Sequence, residues 1–175
     1  MKTIITTLIT LSTIFCSAQS DTALTFSSVV NVDSASKAQL FEQARLWFTD
    51  YFKSAKSVLQ VSDKESGQLT GKAILESNYK YKALGAVYKG ESSVNTTIKV
   101  LVKDGKYKYE IYDLYETNVF GRLTTSNECP KKFPMQRQSK TDLMWQDAKS
   151  NITAKINLML ASLNTYMNNK TANDF

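Results

Sequence analysis

The chain has 175 residues, a formal charge of +6, 42% hydrophobic and 22% charged residues, and no histidine. This is the composition of an ordinary globular domain. The missing histidine excludes Ser-His-Asp and Cys-His nucleophilic centres, histidine metal ligands and the commonest general base, and two cysteines are too few for a structural zinc site.

Met1-Lys2 supplies a positive charge, Ile4 to Phe15 is uncharged and rich in Ile, Leu and Thr, and Cys16-Ser17-Ala18 puts small residues before Gln19. That order predicts a secretory leader over residues 1–18, cleaved after Ala18. The apolar run is shorter than the roughly 20 residues a membrane span needs. The expectation is an exported protein, periplasmic or associated with an outer membrane, with no transmembrane segment once the leader is gone. The mature chain would hold 157 residues (175 − 18) as one domain over 19–168, with a frayed tail over 169–175. Lipidation at Cys16 is the alternative, and the bulk of Phe15 argues against it. Cys129 is then the one remaining thiol, unable to form an internal disulfide.

Thr22 to Val32 alternates as a strand, broken at Asp33-Ser34. Ser36 and Gln39 form a capping box for a helix, Ser36–Lys53. Leu40, Ala44, Trp47 and Tyr51, widened by Phe41, Phe48 and Phe52, give that helix one broad apolar face. Ser57–Ser62 and Gln68–Ser77 read as strands joined across a polar loop ending in Gly67. Asn78 to Ser93, rich in Tyr and Lys, reads as less regular.

Asp104-Gly105 predicts a two-residue hairpin turn with both positions at positive φ. Its register places Val102 opposite Tyr107, Val100 opposite Tyr109 and Ile98 opposite Ile111, all on the face toward the helices, with Lys99 meeting Glu110 on the other. A further strand is expected over Glu116–Thr124, then an aperiodic loop, Thr125–Lys140, carrying both prolines. Ser139 is expected to cap a last helix, Thr141–Met167, with Trp145, Ala148, Ile152, Ile156, Met159, Leu163 and Tyr166 at three- and four-residue steps.

The element order predicts a two-layer α+β domain: a mostly antiparallel sheet with two helices on one face. Three segments carry a resemblance: Leu40, Ala44 and Trp47-Phe48; Gly67-Gln68-Leu69-Thr70-Gly71-Lys72; and Lys103 through Asp113. Together they resemble a domain-of-unknown-function family of exported Gram-negative bacterial proteins with a TATA-binding-protein-like fold, over about residues 22 to 124. The resemblance implies that fold and no activity, and the fold label does not imply DNA binding.

No phosphate-binding glycine loop and no acidic calcium loop occurs, so no cofactor, no metal and no catalytic residue is expected. Asp113 with Glu116, or Asp142 with Asp147, would be the acid–base pairs of an enzyme, against the simpler reading of solvated surface carboxylates. Tyr79-Lys80-Tyr81-Lys82 and Lys106-Tyr107-Lys108-Tyr109 interleave bases and rings as single-strand binders do. On a strand, however, the two types point to opposite faces, so no mixed patch and no nucleic-acid partner is expected. Asp21-Thr22-Ala23 and Asp33-Ser34-Ala35 resemble short acceptor sites for O-linked sugar.

The loop carries Lys131, Lys132, Arg137 and Lys140 around Phe133 and Met135. It is the candidate partner-binding segment, suited to an envelope protein, a glycan or an anionic surface, with Cys129 as a reactive or partner-pairing thiol; the simpler readings are a solvated crossover before the helix and an unremarkable cysteine within it. The expected function is a non-enzymatic ligand- or partner-binding domain, working through this loop or the open sheet face. A structural or assembly subunit and a carboxylate-dependent hydrolase are the alternatives. A groove lined by Tyr and Lys would favour ligand binding.

Overall fold

The computed structural model describes residues 22–52, 58–134 and 136–169. The expectations for the leader, Cys16, Gln19, Asp21, Lys53, Ser57, Met135 and the tail past Asn169 lie outside the described residues.

Alternation yields β1 (Phe26–Asn31), with Phe26 and Val30 turned inward and Val29 outward. The chain reverses at Ser34 (φ 63°) and enters α1 (Lys37–Phe52). The capping box forms: Ser36 N–H donates to Gln39 Oε1 at 3.0 Å and Gln39 N–H to Ser36 Oγ at 3.3 Å. Leu40, Phe41, Ala44, Trp47 and Phe48 are buried, and Tyr51 at the stripe's end stays partly exposed.

The remaining elements are β2 (Leu59–Asp63), β3 (Gln68–Ala83), β4 (Ala86–Lys103), β5 (Lys106–Glu116), β6 (Gly121–Arg122) and α2 (Gln138–Met167). The six-stranded sheet is antiparallel, in the order β1-β5-β4-β3-β2, with β6 also against β5. Both helices pack on one face, α1 on β3, β4 and β5, and α2 on β3 and α1. This is the two-layer α+β architecture read from the sequence.

The β4–β5 hairpin has the expected register, pairing Val102 with Tyr107, Val100 with Tyr109 and Ile98 with Ile111. Five of these six side chains are fully buried under the helices and Tyr109 partly so. Only Gly105 takes positive φ (73°), whereas Asp104 stays in the ordinary region. The reason is a second duty: Asp104 Oδ1 accepts the Lys37 N–H at 2.7 Å, tying the turn to the start of α1. Glu110 faces Lys99 in register, but its ion pair is with Lys108, two residues along its own strand.

A bulge in β5 shifts the inward face of the strand near its end. Asp113 adopts φ 55° and adds one residue opposite Thr96, so the inward set steps from Tyr107, Tyr109 and Ile111 to Leu114 and Glu116. Glu116 is 1% exposed, and its carboxylate accepts the N–H groups of Asn118, Val119 and Phe120. That acceptor closes a turn in place of a continuous strand over Glu116–Thr124; Gly121–Arg122 pairs back on β5, Leu123 N–H bonds Leu114 O at 2.8 Å, and Thr124 bridges Ala23.

The larger correction concerns residues 78–93. This stretch is the end of one long hairpin, closed by Leu84-Gly85 with Ala83 opposite Ala86. β5 stops pairing at Val94, and Thr117 N–H bonds Ser93 O, so the hairpin continues past this point as a two-stranded arm. An isolated hairpin is marginal in water. Here a file of rings backs it: Tyr88 stacks on Tyr81 (5.4 Å), and Tyr79 meets Phe120 (5.2 Å), which meets Trp145 (5.6 Å). Gly90 makes room for that file, since a Cβ there would lie 2.3 Å from the Tyr79 ring.

The helix α2 begins one residue before Ser139, with Arg137 at its N-cap and no side-chain cap bond. Three faces of α2 do separate work. Trp145, Ala148, Ile152, Ile156, Met159 and Leu163 fill the core. Asp142, Trp145, Gln146 and Lys149 bind the backbone of residues 124–129. Asp147, Asn151 and Lys155 reach the outer edge of β3: Asp147 Oδ2 accepts the Lys80 N–H at 2.8 Å, Asn151 donates to Asn78 O at 2.9 Å, and Lys155 donates to Glu76 O. Four helical residues rise about 6 Å and two strand residues about 6.6 Å. The i, i+4, i+8 stripe therefore keeps step with alternate residues of the strand and covers an edge that would otherwise invite pairing with another chain.

Candidate functional site

The edge-covering stripe ends at Asp147. Beyond it the arm and the first turns of α2 diverge around a cleft of about 600 Å³, within the usual range for small-molecule sites. Lys80, Tyr81, Lys82 and Val87 line it from the arm, Gln136 from the loop, and Lys140, Leu143, Met144 and Asp147 from α2. The helical contribution follows from spacing. Lys140, Leu143 and Asp147 stand at i, i+3 and i+7, one face of the helix, beside the core stripe of Trp145 and Ala148. Leu143 is 67% exposed and Val87 60% exposed, so the cleft's apolar surface faces solvent.

Charge in the cleft is one-sided. Three lysines face one carboxylate, and Asp147 is already engaged by the Lys80 N–H and, at 3.4 Å, by Asn151. Lys82 lies two residues beyond Lys80, so its peptide N–H and C=O point to the same outer edge, past the last helical side chain. The cleft thus combines cations, an apolar wall, a tyrosine and strand-edge backbone groups.

Of the loop residues singled out in the sequence, Lys140 alone among the described ones lines the cleft. Lys131, Lys132 and Arg137 are exposed along the loop, Phe133 is half-buried, and Lys131 Nζ lies 5.4 Å from the Phe133 ring centroid. Cys129 is 3% exposed, not displayed. Its N–H donates to Asp142 Oδ1 at 2.8 Å, and burial, helped by the Asp142 charge, pushes its thiol pKa up. The first half of the loop is bolted to α2 through these backbone bonds, while in the basic half Gln136 reaches Met144 Sδ at 3.8 Å.

The carboxylate pairs do not come together as acid and base. The bulge directs Asp113 outward beside Thr97 and Glu116 into the core. Asp142 faces the loop and Asp147 the β3 edge. Among the described residues no group of three or more His, Cys, Asp or Glu side chains is placed to hold a metal ion, and no helix is long and apolar enough to cross a membrane.

Lys80, Tyr81, Lys82, Val87, Leu143 and Met144 were not singled out as a site in the sequence. Tyr79-Lys80-Tyr81-Lys82 alternates faces as expected, with Tyr79 and Tyr81 inward. Tyr81 and both lysines are nonetheless among the residues that line the one cleft, Lys80 with its backbone N–H on Asp147.

A two-layer α+β domain with one open sheet face and a cationic, apolar cleft at the end of a long hairpin is the class these features define. The chain belongs to the DUF4468 family, a domain of unknown function with a TBP-like fold, whose family model matches residues 26–117. A DUF4468 protein of Bacteroides ovatus superposes with a TM-score of 0.61 at 18% identity, over 86% of this chain and 89% of that one. A TBP-like protein of Parabacteroides distasonis gives 0.52 at 10% identity, over 81% and 93%. At these identities the likeness extends to the fold alone. No curated protein matches the sequence.

Proposed function

We propose that this protein is an exported, non-enzymatic binding domain that holds a small amphiphile with an anionic group in the cleft between the hairpin arm and α2. The supporting observation is the lining itself: Lys80, Lys82 and Lys140 line the cleft with the exposed Val87 and Leu143 and the buried Met144, and the one carboxylate is occupied by the Lys80 N–H. Such a site favours a ligand that brings both a negative charge and a hydrocarbon surface. Export rests on the charged, apolar, small-residue order of residues 1–18.

A fluorescent fatty acid, 11-(dansylamino)undecanoic acid, tests the reading by titration. Saturable binding is expected, weakened roughly tenfold (about 1.4 kcal/mol) by Lys140→Glu and similarly by Leu143→Asn. Absence of saturable binding, or variants that bind as the parent does, would overturn it. N-terminal sequencing of the protein from envelope fractions should return Gln19 as the first residue.

A further inference from the structure

We propose that the end of the β3–β4 arm docks on an anionic lipid bilayer, with Leu84 at the point of insertion. The inference goes beyond the binding cleft: it shares Lys80, Lys82 and Val87 with that lining, but turns on Leu84, which does not line it. Between Lys82 and Lys89 the chain reads Ala83-Leu84-Gly85-Ala86-Val87-Tyr88, an uncharged run bracketed by cations at the outermost point of the hairpin. Leu84 is fully exposed, and Val87 and Tyr88 beside it are exposed as well.

Leu84 is also held at φ 49°, in the left-handed region. Two-residue turns that need this conformation take Asn, Asp or Gly, which tolerate it and are polar or small. Leucine satisfies neither requirement: it strains the backbone and offers its whole side chain to water. The turn sets the backbone angle, but it does not call for leucine; contact with hydrocarbon accounts for an apolar side chain at this exposed position.

The surroundings select the kind of surface. Past Ser93 the arm carries Lys80, Lys82 and Lys89 against Glu91 as its one acidic residue. A tip of this make-up has the arrangement of an interfacial anchor: an apolar point, a tyrosine at headgroup depth, and lysines for anionic lipid. A second copy of the chain is the competing occupant. The lysines of two such tips would repel, so charge favours lipid.

The test uses a chain starting at Gln19, which keeps every described element and removes the apolar leader that would itself enter vesicles. It is sedimented with vesicles of phosphatidylcholine containing one quarter phosphatidylglycerol, and with pure phosphatidylcholine. Binding to the anionic vesicles is expected, at least tenfold tighter than to the zwitterionic ones and weakened at 1 M salt. Leu84→Asn suits the turn better, so it should fold with an unchanged or higher Tm yet bind at least fivefold more weakly. Lys82→Gln with Lys89→Gln should reduce the preference for anionic vesicles. Equal binding by Leu84→Asn and the parent, no binding by the parent, or a parent dimer that Leu84→Asn dissociates without any vesicle binding would each overturn the proposal. Since Leu84 does not line the cleft, fatty-acid binding should survive Leu84→Asn, so the two readings fail separately.

Discussion

Two hairpins share strand β4 and could hardly be built more differently at their turns. At one end Asp104-Gly105 closes β4 onto β5, with glycine at the position needing positive φ and the aspartate bonded to the start of α1. At the other, Leu84-Gly85 closes β3 onto β4, with a leucine forced to positive φ and wholly in water. The first turn agrees at every level with the sheet it serves: local conformation, register and tertiary contact point the same way. The second breaks the local rule, and does so on an arm that also carries Lys80, Lys82 and Lys89 and the exposed Val87 and Tyr88. Violations of that sort concentrate at sites kept for binding.

The contrast can be broken by substitution. The largest effect is expected at the well-built end, where Trp47 lies fully buried beneath the sheet with its indole N–H on Ser162 Oγ. Trp47→Ala should cost about 3–5 kcal/mol, a fall in Tm of at least roughly 6 °C for a chain of this size. A near-neutral thermal shift would remove that ring from the core. At the arm, Gly90→Val drives a side chain into the Tyr79 ring and should cost about 1–3 kcal/mol, with amide exchange accelerating in residues 78–91 before the rest of the sheet. Asp147→Ala removes the acceptor of the Lys80 N–H and should cost about 1–2 kcal/mol, again read first as faster exchange in the arm. Uniform acceleration across all strands would mean that the arm is no separate unit.

Alkaline pH sharpens the comparison from another side. Burial raises the pKa of Tyr107 under the β4–β5 hairpin, of Tyr79 under the arm and of the Cys129 thiol, from ordinary values of 10.0, 10.0 and 9.0. In each case the unfolded chain loses its proton first. Stability from these groups is therefore full below pH 9 and lost as pH rises through the raised native values. Denaturant midpoints should fall above pH 9, and Tyr79→Phe should blunt the fall. The smallest effect has the opposite sign: Leu84→Asn relieves the strained turn and should add up to about 1 kcal/mol. A clear destabilisation would show that the leucine serves folding.

The sequence made the first hairpin legible because turn residues and alternation gave the same register independently. It made the two helices legible because Leu40, Ala44 and Trp47, and Trp145 through Leu163, each recur at helical spacing. The arm was not legible for a physical reason. A leucine in a tight turn sends no turn signal, so Asn78 to Ser93 read as irregular although Tyr79 to Lys82 alternate and the residues from Leu84 to Lys89 are all exposed. The cleft was hidden further, since Lys140 and Leu143 on a helix meet Lys80 and Val87 on a strand only through the packing of α2 along the β3 edge. Cys129 misled for the converse reason: residues beside a proline read as exposed loop, while Asp142, thirteen residues on, pulls the Cys129 backbone against the helix.

The most direct test of the cleft is an amide-resolved NMR titration with laurate, a carboxylate on a simple alkyl chain. Shift changes should saturate and cluster at Lys80, Tyr81, Lys82, Lys140, Leu143 and Met144, leaving the open sheet face around Ile74 and Tyr115 unmoved. Changes centred on that face, or none that saturate, would contradict the assignment of this cleft as the binding site.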